Sequence, residues 1–162
     1  DSGRTVIAGG GIIPDFVVSP DSISPLLQAV VDRSVENLFI RTWVDLYGAS
    51  LKSTWGETQT KFVSDFQVDP EMLDAFWAYA AQKGVIVGDR TSDSTSPLQF
   101  TSADSEVEAK NIKALLKGRL ATRLYDRSAW YPVWSGVDHL LLEANLLWNP
   151  AEDLALHYSE VR

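Results

Sequence analysis

Twice in this chain a capping residue stands directly before a proline at the head of an apolar pattern of helical period: Ser24-Pro25, and Asp69-Pro70-Glu71. A short polar side chain can accept a bond from the first free N–H groups of a helix, and proline is preset for the first helical position, so each pair is a start signal. After the first, Leu27, Val31, Val35, Leu38, Phe39, Trp43 and Tyr47 recur at threes and fours, which predicts one long helix, or two joined near Asp32 to Ser34. After the second, Leu73, Phe76, Trp77 and Ala80 form the buried stripe and Lys83-Gly84 supplies a basic last turn and a C-cap, so a helix is expected over 70–83.

A third helix is written in charge. Asp104, Glu106 and Glu108 precede Lys110, Lys113, Lys117, Arg119, Arg123 and Arg127, an order that matches the dipole of a single helix, with Ile112, Leu116, Leu120 and Leu124 as its apolar edge. Gly118 inside it costs about 1 kcal/mol relative to alanine, so it marks a place where another helix comes close. Beyond the aromatic cluster Trp130-Tyr131-Pro132-Val133-Trp134, a last helix is expected from Val137 to Trp148, stopped with the help of Pro150, with a short helical tail over 151–158. Residues 88–103 are small, polar and without period, and read as an exposed loop.

Composition limits the function classes. The chain has 162 residues, 45% of them apolar, with six Trp, six Phe and five Tyr, which is enough for one core-bearing domain. Its net charge of −8 offers no basic footprint for nucleic acid. No apolar run approaches the ~20 residues that span a bilayer, so direct membrane insertion is not expected. Without cysteine there are neither disulfides nor thiolate metal sites.

The residues that could carry chemistry do not assemble into a motif. Asp138, His139 and a serine could be drawn as a triad, with His157 as a second base, but neither histidine has a nucleophile-elbow context, and Asp138-His139 reads as the cap and start of the last helix. Two histidines eighteen positions apart have no metal-ligand spacing. Gly9-Gly10-Gly11 leads into Ile12-Ile13-Pro14 rather than a helix, so it reads as a turn and not a phosphate loop. The basic row from Lys110 to Arg127 reads as a solvated face or as partners for acidic helices, and the aromatic cluster at 130–134 as core or rim rather than a binding groove. No catalytic, cofactor-binding or metal-binding residue is therefore expected, and no cofactor.

Arg4 to Ala8 and Ile12 to Val18 are β-branched runs flanking three glycines and a proline, which predicts strand, tight turn, strand. A hairpin of this size is marginal alone and wants a sheet, whose other strands are expected upstream of Asp1. The order Gly3-Arg4-Thr5-Val6, Gly9-Gly10-Gly11-Ile12, Pro14-Asp15-Phe16-Val17-Val18 resembles the segment that closes the protease domain of the carboxyl-terminal processing peptidases, or tail-specific proteases. Phe62 through Asp69, Leu73 to Phe76, Tyr79-Ala80, Gly84-Val85, Leu116 to Ala121 and Trp130 to Val133 are similar to the helical tail that follows that domain, especially in Bacteroidetes-like members. Ile7-Ala8, where a tyrosine and another glycine are common, and the polar loop at 88–101 depart from the pattern.

The resemblance implies residues 1–20 as the last strands of a peptidase domain and 21–162 as a mainly α C-terminal domain of about four to six helices. It also implies a parent serine endopeptidase that cleaves proteins near their C-termini without a cofactor. That parent would act in the periplasm or cell envelope of a Gram-negative bacterium, with a Ser-Lys dyad lying upstream of this sequence. The expected partners are the rest of that protease, a second copy, and its protein substrates or an adaptor. The alternative is a stand-alone helical interaction module whose glycine-proline segment only mimics the family motif.

Overall fold

The computed structural model describes residues 14–20, 22–88 and 98–160. Among them the chain is mainly helical: eight α-helices and one pair of two-residue strands. They run α1 Pro25–Asp32, α2 Val35–Trp55, α3 Gln59–Asp65, α4 Pro70–Gln82, β1 Ile86–Val87, β2 Gln99–Phe100, α5 Ser102–Leu124, a 3₁₀ turn Arg127–Ala129, α6 Trp130–Trp134, α7 His139–Leu146 and α8 Trp148–Glu160. The chain divides into two compact units: Ser22–Val137 is the larger, and Asp1–Asp21 with Asp138–Arg162 the other. The mainly α class matches the expectation, while the helix count exceeds the four to six anticipated. Short helices such as α3 and α6, at seven and five residues, are too brief to show a period.

The start signals work as read. Ser24 Oγ accepts from the Leu27 N–H at 3.1 Å and Asp69 Oδ1 from the Met72 N–H at 2.8 Å, each with proline at the first helical turn. The long first pattern resolves into two helices. The break falls at Ser34, whose φ of 53° leaves the helical region. Arg33 beside it donates from Nη1 to the Lys83 carbonyl at 2.9 Å, which ties the break to the end of α4. Gly84 follows that end at φ 82°, the left-handed conformation a C-cap glycine supplies.

The buried stripe of α1 is rotated one residue from the expected one. Leu26, Ala29 and Val30 are buried, while Val31 is exposed, and in α2 the burial falls on Val35, Glu36, Phe39 and Ile40 with Leu38 and Tyr47 exposed. Adjacent apolar pairs, Leu26-Leu27 and Val30-Val31, allow two faces about 100° apart, and only the packing partner chooses between them. In α5 the predicted edge holds: Ile112, Leu116 and Leu120 are fully buried. This helix is the axis of the larger unit, packed by α1, α2, α3 and α6.

Other expectations are corrected. Gln99–Phe100 is not loop but a strand, paired in parallel with Ile86–Val87 through Ile86 N–H to the Leu98 carbonyl and Gly88 N–H to the Phe100 carbonyl, both 3.0 Å. Pro150 does not stop a helix; it lies in the first turn of α8, where its missing N–H costs nothing. The helix expected over 137–148 is shorter, from His139 to Leu146. The glycine turn, the first strand of the predicted hairpin and loop residues 89–97 lie outside the described residues, and Phe16 to Val18, expected as its second strand, is not assigned to a strand.

Gly118 is where another element comes close. A β-carbon there would lie 2.7 and 2.8 Å from two ring carbons of Trp130, the first residue of α6. Gly118→Ala should therefore lower stability by about 1 kcal/mol, since overpacking of about 1–3 kcal/mol outweighs the roughly 1 kcal/mol gained in helix propensity. Gly118→Val should lose more. Urea unfolding checks this: a stabilised alanine variant would show that the Trp130 ring yields freely.

Candidate binding groove

Lys110, Lys113 and Lys117 recur at three and four residues along α5, so their stems rise from one face of the helix. That face looks into a groove of about 340 Å³. Apart from the lysines the lining is uncharged and mostly apolar: Val63, Gln67 and Val68 from the end of α3 and the link to α4, Pro132 and Val133 from α6, and Val137 just after it. Val68 and Val133 are buried and belong to the core, so the apolar wall is continuous with the packed interior.

Lys117 is built into the site. Its Nζ donates to the Val63 carbonyl at 2.7 Å, one of the last carbonyls of α3 that no helical N–H reaches. Burial pushes its ammonium below the usual lysine range, and the Asp65 carboxylate opposes part of that shift. Lys110 and Lys113 are exposed and make no ion pair among the described residues.

Arg119, two residues on, faces elsewhere. Its Nη2 donates to Glu36 Oε1 at 3.1 Å, and its guanidinium carbon lies 4.9 Å from the centre of the Trp130 ring. Glu36 is 1% exposed and also accepts from Asn37 Nδ2 at 3.0 Å. The basic row is thus not one solvated face. It splits between an internal partner for a neighbouring helix, a capping lysine, two free ammonium groups on a groove rim, the exposed Arg123, and Arg127, which lies beyond the end of α5 in the 3₁₀ turn.

The acidic start of α5 has a different environment. Thr101 and Asp104 form a reciprocal capping box, and the hydrogen bonds from Thr101 hold the Asp104 carboxyl below its ordinary range. A second cavity of about 320 Å³ lies there, lined by Pro25, Leu26, Phe100, Asp104, Val107 and Glu108 among others. The helix therefore presents an acidic pocket at its N-terminal end and a basic groove further along, in the order its dipole favours.

The residues weighed for catalysis are not brought together. Asp138 Oδ1 accepts from the Leu141 N–H at 3.1 Å, so it caps α7 as its position suggested. His139 faces Glu143 one turn away at 3.8 Å, and His157 lies in the last turn of α8. Gly9 to Gly11 are outside the described residues. Among the described residues no three His, Asp or Glu side chains could share a metal ion, and no helix is long and apolar enough to cross a membrane.

The aromatic cluster divides between two tasks. Trp130 and Trp134 stack at 5.1 Å and pack against the core, while Tyr131 is exposed and Pro132 and Val133 line the groove. Sequence reasoning missed Val63, Val68 and Val137, because the groove is made where three segments distant in sequence converge. The one legible signal was the lysine spacing.

No curated protein and no solved structure matches this chain. Residues 26–126, which hold α1 from its second residue through the end of α5, match a family of unknown function, DUF8443. As the matched stretch is well over half of the sequence, the protein belongs to the DUF8443 family.

Proposed function

We propose that this chain is the non-catalytic C-terminal part of a serine endopeptidase of the carboxyl-terminal processing family, a helical module that docks on the rest of that protease in the periplasm or cell envelope. The observation that carries the reading is the ordered pattern from Gly3 to Val18, with its Gly-Arg, glycine run and Pro-Asp between β-branched segments. The docking part is supported by α7. Leu140, Leu141, Leu142 and Leu146 are all exposed on it, Trp148 at the start of α8 is 72% exposed, and such a cluster of exposed apolar side chains is one that a partner covers. The partner in this reading is the remaining protease or a second copy.

The coding sequence upstream of Asp1 tests this directly. A protease domain with a serine nucleophile and a lysine base is expected there, and a start codon adjoining Asp1 would sink the reading in favour of a stand-alone module. A second measurement tests the non-catalytic part: the 162-residue chain, incubated with unfolded casein, should release no fragments. Cleavage that a serine-directed inhibitor abolishes would overturn it.

A further inference from the structure

We propose that the groove between the lysine row of α5 and the apolar wall of α3 and α6 is a docking site for a short extended peptide in which acidic and apolar residues alternate. Three features select that ligand. The first is charge complementarity: Lys110 and Lys113 are unpaired among the described residues and stand beside Lys117 in a chain whose net charge is −8. A local cationic row on an anionic protein attracts a few carboxylates at short range, while the protein's wider field repels a long polyanion.

The second is spacing. From Lys110 to Lys117 the helix rises roughly 10 Å, and alternate side chains of an extended peptide repeat every ~7 Å, so two acidic residues in alternate positions fit along the row. The third is the opposite wall. Val63, Val68, Pro132, Val133 and Val137 present no charge, so the apolar residues between the acidic ones have a matching surface. The volume, about 340 Å³, falls within the ~300–1,000 Å³ of small binding sites and accommodates a few side chains rather than a folded partner.

Lys117 has a distinct part in this. With one N–H held by the Val63 carbonyl, its ammonium is fixed at the inner end of the row and lies partly out of water, where a carboxylate contact is screened least. Lys110 and Lys113 give the site its charge and can be changed without touching the fold, because both are solvent-exposed. The inference is independent of the protease reading: it concerns this unit alone and stands whether or not a peptidase domain precedes it.

The test uses the whole chain and a fluorescein-labelled peptide of alternating glutamate and valine, read by anisotropy. Saturable binding that weakens with salt is expected, with the glutamine-valine counterpart binding at least tenfold more weakly. The double variant Lys110→Glu/Lys113→Glu should lose about tenfold or more in affinity while its circular dichroism and urea midpoint stay near wild type. Equal binding of the glutamine peptide, unchanged affinity of the variant, or no saturable binding would each overturn the proposal. So would sedimentation showing a dimer that the double variant dissolves and that excludes the peptide, because the groove would then belong to a second copy.

Discussion

Phe62→Ala should lower the folding stability of this protein by about 3–5 kcal/mol. The side chain is fully buried. Its ring stacks on Phe66 at 4.6 Å and 14°, and meets Trp55 and Tyr125 edge to face at 5.9 and 5.8 Å. Removing it leaves a cavity walled by three large rings, of which Phe66 is buried and Trp55 and Tyr125 are half-buried. The loss of three oriented aromatic contacts places the value toward the upper end of the range. On thermal unfolding, a midpoint depressed by roughly 10 °C is expected. A loss below about 1 kcal/mol would mean that α3 is only loosely attached to the core, since Phe62 is the residue through which that short helix is buried.

The second large effect concerns Arg119. Replacing it with methionine keeps much of the aliphatic stem but leaves Glu36, 1% exposed, without its cation. Breaking a buried pair by removing one member costs about 3–5 kcal/mol. Because Arg119 is 32% exposed and partly screened by water, a loss of about 2–3 kcal/mol is expected here.

Urea unfolding of the single and double variants reads this out. A double variant Glu36→Leu/Arg119→Met no more stable than Arg119→Met alone would show that Arg119 acts through its packing on Trp130 and not through its charge. The double variant Glu36→Leu/Arg119→Met should recover most of the lost stability, because it removes the buried charge together with its partner.

The particulars show which features a linear reading can carry. Ser24-Pro25 and Asp69-Pro70 were legible because a cap and its proline are a local geometry, complete within four residues. The α5 charge order and its Ile112, Leu116, Leu120 edge were legible for a related reason: a helix of 23 residues repeats its pattern often enough to define one face. Gly118 could be marked as a close approach, but nothing local named Trp130 as the ring that approaches. The parallel strands at Ile86–Val87 and Gln99–Phe100, two residues each, are too short for any period to show.

The groove lay further out of reach. Its lysines were visible as part of a basic row of six, yet only the fold separates Lys110 and Lys113 on the rim from Lys117 against α3 and Arg119 against Glu36. That sorting depends on which elements lie beside α5, and the spacing of residues along the helix carries no information about its neighbours.

The amino-acid sequence by itself determined the helical class, the cap positions and the direction of charge along α5, because each follows from interactions within a turn or two of backbone. It also contains the Gly3 to Val18 pattern on which the protease proposal rests. Tertiary structure alone decided which of two faces α1 buries, which cations turn inward, and that three remote segments meet to form the groove. Those outcomes depend on long-range packing, where adjacent apolar residues are locally equivalent and only the fit against another element makes one of them the interior.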